Sequence, residues 1–221
     1  MRVQAVRNLV AAPTPETVGA GIVLEHLSGL GDVVTQLAAE AGHLSEWGRE
    51  LCTRLIGGHR LLTCGNGGSA AEAQHLSAEI VGRFEGDRPP FSAIALHADS
   101  SSVTAIGNDY GFDEVFARQV TAHARPGDIV LLLSTSGRSP NLLRAAEAAG
   151  AAGATAWALT GPGPNPLAER CDDWIGLDSR ASNVQEGQLI AIHAICCAFD
   201  AYLGSPAVTA PVAAVRPGGV R

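Results

Sequence analysis

Two hydrophobic patterns alternate along most of the chain. Short apolar runs of strand length, such as 61–64 and 129–133, are each followed by a turn rich in glycine or serine and then by a segment that favours a helix. The run at 129–133 contains only Ile, Val and Leu, which is typical of a strand buried on both faces of a parallel sheet. Strands that alternate with helices predict an α/β fold, in which helices flank a doubly wound parallel sheet.

The same patterns place the individual elements. The predicted strands are 61–64, 91–96, 129–133, 155–160 and 174–177. Helices are predicted after the glycine-rich turn at 65–69, from the serine-rich segment at 97–102, and at 112–124, 140–149 and 181–203. The polar segment 107–111 predicts a turn.

The N-terminal part of the chain carries no strand pattern. Apolar residues from Val33 to Trp47 recur at helical spacing, and the glycines at 29–31 predict a break between two helices. A helical pair has little core of its own, so we expect it to pack on the main domain or on another subunit. Residues 16–203 are predicted to form a single domain, between a flexible arm at 1–15 and a flexible tail at 204–221.

Composition narrows the range of functions. The 221 residues carry a formal net charge of −7, which disfavours nucleic-acid binding through a basic surface. No apolar stretch reaches the roughly 20 residues that a bilayer requires, so no membrane association is expected. The five cysteines form no CxxC pair, and such a scattered, odd set predicts reduced thiols in the cytoplasm.

The first candidate site is the turn at 65–69, with sequence GNGGS. A strand that leads through glycines into a helix builds an anion site, because the first helical N–H groups have no intrahelical partner. Further along this helix, His75 and Glu79 are four residues apart and share a face, with Arg83 one turn beyond. Two alternatives stay open: many such turns bind nothing, and His75 and Glu79 could form a solvated pair.

The second candidate site is the loop at 134–139, with sequence STSGRS. Serine hydroxyls and main-chain N–H groups at the start of a helix can surround a phosphate, and Pro140 suits the first helical position. The loop lacks the Gly-Lys-Ser/Thr of a nucleotide triphosphatase and the GxGxxG of a dinucleotide site. It could be an ordinary capping turn, but its position after the most hydrophobic strand favours ligand binding.

The last long helix carries a third group of polar residues. Gln185 and His193 are eight residues apart and therefore share a face, two turns from each other. A lone histidine in such an apolar helix is more often part of the core. A functional role requires that this helix face the helix of His75 and Glu79.

Together these motifs resemble a known family. The GNGGS turn, the His-x₃-Glu-x₃-Arg helix, the GNDYGF segment at 107–112, the STSGRS loop and the Gln-x₇-His helix occur in this order in the phosphoheptose isomerases, which belong to the sugar isomerase (SIS) domain superfamily. The resemblance covers about residues 20–203. It implies a SIS-type fold and an aldose–ketose isomerase that converts sedoheptulose 7-phosphate to D-glycero-D-manno-heptose 7-phosphate, the first step of heptose nucleotide or heptose-derived metabolite synthesis.

The resemblance also implies roles for individual residues. Glu79 would be the base that moves a proton between C1 and C2 through a cis-enediol, and His193 the complementary acid. One zinc ion per site would be bound by His75, Glu79, Gln185 and His193. The family forms homotetramers with sites at subunit interfaces. The residues that would contact the sugar phosphate are Asn66, Gly67, Gly68, Ser69, Glu79, Arg83, Asn108, Asp109, Ser134, Thr135, Ser136, Ser139 and Gln185.

Two other functions are compatible with a SIS fold. One is a non-catalytic scaffold that resembles the replication-initiation regulators that bind DnaA. The other is a sugar-phosphate sensor or another sugar-phosphate isomerase. The combination of Glu79, Gln185 and His193 favours the enzyme, since a scaffold does not need it, and the chain has no recognisable DNA-binding region.

Overall fold

The computed structural model describes residues 15–205. They form seven α-helices, five strands and two short 3₁₀ turns, at Phe112–Glu114 and Ala168–Arg170. The helices are α1 (Pro15–Ala39), α2 (Ala41–Ile56), α3 (Gly68–Val81), α4 (Ser100–Tyr110), α5 (Ala117–His123), α6 (Pro140–Ala151) and α7 (Ala181–Leu203). The strands are β1 (Leu61–Gly65), β2 (Ala93–Ala95), β3 (Ile129–Ser134), β4 (Thr155–Thr160) and β5 (Asp173–Gly176).

All five strands are parallel and lie in the order β2-β1-β3-β4-β5. The predicted α/β class and parallel sheet are therefore confirmed. The chain leaves β1 towards β2 on one side and returns to β3 on the other, so the strand order reverses between β1 and β3. Ligands of open α/β sheets bind at such a switch point, outside the carboxyl ends of the strands. Both candidate turns follow these two strands.

The core lies on both faces of the sheet. On one face, α2, α3 and α7 cover side chains such as Leu61 and Leu131; on the other, α5 and α6 cover Leu62 and Leu132. Side chains alternate between faces along each strand, so an uninterrupted apolar sequence is required when helices cover both. The prediction that 129–133 is buried on both faces is confirmed.

The predicted break in the N-terminal helices at 29–31 is wrong. Helix α1 continues to Ala39, and the break lies at Glu40. Glycine inside a helix costs about 1 kcal/mol relative to alanine, but here it permits close packing against α7. A Cβ at Gly29 would lie 2.8 Å from Asn183 Oδ1, and Val33 lies where a Cβ on Gly187 would be. The pair packs on the main domain, as predicted, mainly through contacts of α2 and α1 with α7.

Three other boundaries differ from the prediction. The segment 107–110 is the end of α4 rather than a turn, and the chain leaves the helix at Gly111, where φ is 90°. The predicted helix at 112–124 is a 3₁₀ turn followed by α5 alone. Strand β2, which lies at the sheet edge and pairs only with β1, is three residues long instead of the predicted six.

The flexible arm and tail lie outside the described residues, except for Pro15, Gly204 and Ser205. The single-domain boundaries therefore stay a prediction. Within residues 15–205, no helix combines the length and apolarity needed to span a membrane. All five cysteines are free, and Cys52, Cys64 and Cys196 are buried.

Candidate active site

The two candidate anion-binding turns meet at the carboxyl edge of the sheet. Gly67, with φ of 55°, turns the chain from β1 into α3, and the loop 134–139 leads from β3 into α6. Between them is a cavity of about 90 Å³. Liquid water occupies about 30 Å³ per molecule, so the cavity suits one small group. Its lining residues are Asn66, Ser69, Leu133, Ser134, Thr135, Ser136 and Ser139.

The conformation of the serine-rich loop leaves its hydroxyl groups able to donate. Ser134 Oγ accepts the Gly137 N–H at 3.0 Å, and Ser136 Oγ accepts the Arg138 N–H at 3.3 Å. Their own protons are not used in these bonds. Ser139 begins α6 without a side-chain cap. Hydroxyl donors beside the start of a helix form an anion-binding site without any lining Lys or Arg.

Neighbouring loops hold both turns in place. Gly137 has φ of 62°, and a Cβ there would lie 2.0 Å from Oδ1 of the buried Asn165. Asn66 and Asn141 exchange two amide hydrogen bonds of 2.9 Å each, which join the glycine-rich turn to the first turn of α6. Asn141 is buried. The two turns therefore form one connected site.

Ser69 is positioned by the last helix. Its Oγ donates to Gln188 Oε1 at 2.8 Å, and Gln188 Nε2 donates to the Leu159 carbonyl at 3.0 Å. Gln188 is fully buried. The Ser69 hydroxyl proton is thus committed to Gln188, so towards a ligand this hydroxyl presents lone pairs. Ser69 is suited to accept from a sugar hydroxyl rather than to donate to a phosphate oxygen.

Helices α3 and α7 bring three of the predicted site residues together. His75 Nε2 lies 3.0 Å from His193 Nε2 and 3.2 Å from Glu79 Oε1. One atom from each of the three side chains lies within 4.8 Å of the other two. All three are partly buried, and the ring of Phe84 packs beside His193 with centroids 5.4 Å apart. The requirement that the two helices face each other is met.

The donor set and spacing of these three residues fit a zinc ion. Ligands at 2.0–2.1 Å from a tetrahedral zinc lie about 3.3 Å apart, close to the separations of 3.0 and 3.2 Å found here. Gln185, the predicted fourth ligand, packs against Gly68 at the start of α3, where a Cβ would lie 2.1 Å from Oε1. Eight residues of helix separate Gln185 from His193 by about 12 Å along the axis. The chain therefore brings three of the four predicted ligands together, and the role of Gln185 stays a prediction.

Comparison with known proteins identifies the family. The SIS domain family matches residues 26–161. The phosphoheptose isomerase of Streptomyces coelicolor is 58% identical over 182 residues, which cover 82% of this chain and 79% of that protein. The chain belongs to the phosphoheptose isomerase family.

Solved structures agree with this assignment. The phosphoheptose isomerase from Francisella tularensis is similar with a TM-score of 0.78 and 33% identity, over 84% of this chain and 99% of that one. The enzyme from Neisseria gonorrhoeae is similar with a TM-score of 0.74 and 35% identity, over 85% and 100% of the two chains. The predicted family, fold and enzyme class, an aldose–ketose isomerase, are confirmed.

Arg83, Asn108 and Asp109, which the phosphoheptose isomerase resemblance predicts to contact the sugar phosphate, line neither the cavity nor the cluster of His75, Glu79 and His193. Arg83 was placed on the same helix as His75, but α3 ends at Val81; its exposed guanidinium donates to the Glu85 carbonyl at 2.7 Å. Asn108 and Asp109 lie exposed on the last turn of α4 and bond to each other at 2.8 Å. Their contacts with substrate stay predictions.

Sequence reasoning missed Asn141 and Gln188. Gln188 is three residues after Gln185 on α7, a spacing that could have suggested a shared face. Asn141 had no comparable signal, because its partner Asn66 is 75 residues away. Both side chains form hydrogen bonds to predicted site residues, and neither lines the cavity itself.

Proposed function

We propose that the chain converts sedoheptulose 7-phosphate to D-glycero-D-manno-heptose 7-phosphate through a cis-enediol. The observation that carries the proposal is the meeting of Glu79 and His75 on α3 with His193 on α7, because α3 also borders the anion cavity through Ser69. A carboxylate and an imidazole side by side are the pair that moves a proton between neighbouring carbons. Family membership gives the reaction class, and the geometry of the site supports the proposed roles.

The distance along α3 suits a seven-carbon sugar phosphate. Ser69 borders the cavity, and His75 is six residues further along the helix, about 9 Å at 1.5 Å per residue. An extended chain advances about 1.2 Å per single bond, so the eight bonds from C1 to the phosphorus of a heptose 7-phosphate span about 10 Å. A phosphate in the cavity would bring C1 and C2 near the histidine pair.

The residues divide the work as follows. Ser134, Thr135, Ser136 and Ser139 hold the phosphate with hydroxyl and main-chain donors. Glu79 takes the proton from one carbon and returns it to the other, and His193 donates to and accepts from the sugar oxygens. Asn66, Gly67, Gly68 and Ser69 border the sugar chain. Arg83, Asn108, Asp109 and Gln185 would complete the contacts, from this chain or from a neighbouring subunit.

We also propose one zinc ion per site, held by His75, Glu79 and His193, with Gln185 as the fourth ligand. When bound, zinc polarises the substrate carbonyl and stabilises the negative charge that develops on its oxygen. A carboxylate bound tightly to a metal is a weaker base. Glu79 therefore cannot serve fully in both roles at once, and its second carboxylate oxygen is the one available for proton transfer.

A homotetramer with sites between subunits is supported by the surface of the single chain. Four large apolar residues of α1 are 55–67% exposed: Ile22, Val23, Leu24 and Leu27. Beside α1, an apolar groove of about 510 Å³ lies between α1, α2 and α7. Exposed apolar patches of this kind mark protein–protein contacts. A cytoplasmic location is supported by five free cysteines.

The non-catalytic alternatives are less consistent with the site. A scaffold that binds DnaA, or a sugar-phosphate sensor, could keep the anion cavity. Neither needs a carboxylate such as that of Glu79, which lies 3.2 Å from the imidazole of His75. No structural feature of residues 15–205 favours either alternative over the enzyme.

The proposal is tested with sedoheptulose 7-phosphate, by following the aldose product with and without a chelator. Glu79→Gln and His193→Gln should each lower kcat at least about 10³-fold and leave the oligomer unchanged. Matched controls are Glu169→Gln and His123→Gln, which remove the same groups from exposed positions and should keep full activity. Near-normal turnover by either site variant would refute the assigned roles, and loss of assembly would make those residues structural.

A further inference from the structure

The guanidinium of Arg88 is buried between the ends of α3 and α7. Its side chain is only 5% exposed, although it belongs to the loop that joins α3 to β2. It is flanked by two aromatic rings, with its central carbon 5.7 Å from the ring centre of Phe91 and 5.2 Å from that of Phe199. A buried arginine is stable only when its donors are satisfied.

The donors of Arg88 bind the end of the helix that carries Glu79. Nη2 donates to the main-chain carbonyl of Glu79, and Nη1 donates to the carbonyl of Ile80 at 3.0 Å. Because α3 ends at Val81, both carbonyls belong to its last turn, whose carbonyls have no partner within the helix. A cation is also favoured at this negative end of the helix dipole. Arg88 therefore caps α3 at the residue proposed as the catalytic base.

The same guanidinium binds the helix that carries His193. Its Nε donates to Asp200 Oδ1 at 3.0 Å, and the Asp200 side chain is 24% exposed. Asp200 is seven residues after His193, so both side chains project from the same face of α7, two turns apart. One planar group thus connects the peptide of Glu79 to the face of α7 that presents His193.

We propose that Arg88 is a positioning residue that sets the separation and rotation of α3 and α7, and with them the geometry of Glu79 against His193. The inference rests on the proposed isomerase function. Arg88 contacts neither reacting side chain and acts only through the main chain of Glu79 and through Asp200. Without the two guanidinium donors, the Glu79 carbonyl loses its cap and the Ile80 carbonyl keeps only the main-chain N–H of Phe91, at 3.2 Å. Glu79 then loses its fixed position, while the phosphate cavity is unchanged.

The test compares Arg88 with a second arginine–aspartate pair. Arg88→Met keeps the apolar stem without the charge, and Arg88→Lys keeps the charge without the planar set of guanidinium donors. The matched control is Arg60→Met: Arg60 Nη2 lies 3.1 Å from Oδ2 of the buried Asp128, at the amino end of the sheet and away from the cavity. Steady-state kinetics with sedoheptulose 7-phosphate and thermal unfolding are measured for each variant, at a temperature where all are folded.

Arg88→Met should lower kcat about tenfold or more, because small misplacements of reacting groups are costly, while KM changes less than about threefold. Arg88→Lys should recover part of the loss. Arg60→Met should keep its kcat even if it loses as much thermal stability. Wild-type kcat in Arg88→Met, or an equal loss in Arg60→Met, would overturn the proposal.

Two further measurements cover the remaining cases. If Arg88→Met does not fold, Asp200→Asn takes its place, and it too should lower kcat more than KM changes; an unchanged kcat refutes the coupling to α7. Hydrogen exchange is independent of activity: main-chain amides in the last turn of α3 should exchange faster in the Arg88 variants and not in Arg60→Met. If the wild type shows no turnover, the proposed function fails, and hydrogen exchange alone then decides whether Arg88 holds the end of α3.

Discussion

At the scale of single residues, the site depends on side chains that hold other side chains. Asn141 fixes Asn66, Gln188 fixes Ser69 and Asn165 packs against Gly137, and all three supporting side chains are buried. Each makes at least two hydrogen bonds away from solvent, so replacement leaves unpaired groups that cost about 1–3 kcal/mol. The cavity therefore depends on residues that do not line it.

The reciprocal pair of Asn66 and Asn141 gives a prediction at this scale. Asn141→Asp keeps one of the two hydrogen bonds, turns a carboxylate oxygen towards Asn66 Oδ1, and adds a negative charge beside the anion cavity. We expect KM for sedoheptulose 7-phosphate to rise about tenfold or more, with a smaller change in kcat.

Steady-state kinetics and competition by inorganic phosphate measure this effect. Gln74→Glu is the control, because it changes the net charge equally at an exposed position of α3. A KM for Asn141→Asp equal to that of the control would show that the amide pair does not support phosphate binding.

At the scale of elements, tertiary packing determined where helix α1 ends and how helix α2 is attached to the sheet. Helix α1 continues through Gly29 and Gly31, and the missing side chain of Gly29 allows a close approach to Asn183 of α7. Helix α2 is attached to the far edge of the sheet by polar contacts: His43 Nε2 lies 2.8 Å from Asp173 Oδ2, and Trp47 Nε1 donates to the same oxygen at 2.7 Å. These contacts join α2 to β5, the last strand of the sheet.

The contact between α2 and β5 should make stability depend on pH. Burial by itself lowers the pKa of His43, but the hydrogen bonds and charges of Asp173 and Glu40 outweigh burial and raise the pKa above its ordinary value of 6.5. The folded protein then binds the proton more tightly than the unfolded chain. This stabilisation is complete below pH 6.5 and is lost as the pH rises through the folded pKa.

His43→Gln should therefore lower the free energy of unfolding more at about pH 5.5 than at about pH 8.5. Urea unfolding at the two pH values measures the difference. His123→Gln is the control, because it removes an exposed histidine on α5. An equal loss at both pH values would mean that the protonated form of His43 contributes nothing.

At the scale of the whole molecule, the single chain leaves an apolar surface uncovered. The groove between α1, α2 and α7 is lined by Val34 and by Cys197, an exposed free thiol. Burial raises the pKa of both Cys171 and Cys196 to about 12, so these thiols are unreactive. Labelling of Cys197 therefore reports whether the groove is covered.

The proposed tetramer predicts that Val34→Asp dissociates the assembly and speeds labelling of Cys197. Val34 is 46% exposed in the single chain, so a charge there should leave the subunit folded. Light scattering gives the mass, and a thiol reagent gives the labelling rate. Ile56→Asp, on an apolar residue outside the groove that is 41% exposed, is the control. Wild-type mass in Val34→Asp would exclude this groove from the interface.

The agreement between sequence and structure follows the range of the interactions involved. Strand β4 and helix α7 match their predicted limits, and α6 begins at Pro140 as expected, because hydrophobic period and proline geometry act over a few residues. The placement of His75 and Glu79 on one helix was equally local. The helical end of α4 and the position of Arg83 beyond α3 were mispredicted. Gly82 and Gly111 each end a helix, whereas Gly107 lies inside one, and the local sequence does not distinguish the two cases.

The amino-acid sequence by itself determined the parallel α/β fold, the two turns after β1 and β3, and the family to which the chain belongs. These follow from the hydrophobic periodicity, from the positions of glycine and proline, and from the order of the motifs, all of which can be read from the sequence. Only the tertiary structure decided that His193 lies 3.0 Å from His75, that Asn141 holds Asn66, and that Arg88 joins α3 to α7. Such contacts join residues far apart in the chain, and the packing of whole helices, which no local pattern encodes, sets their distances.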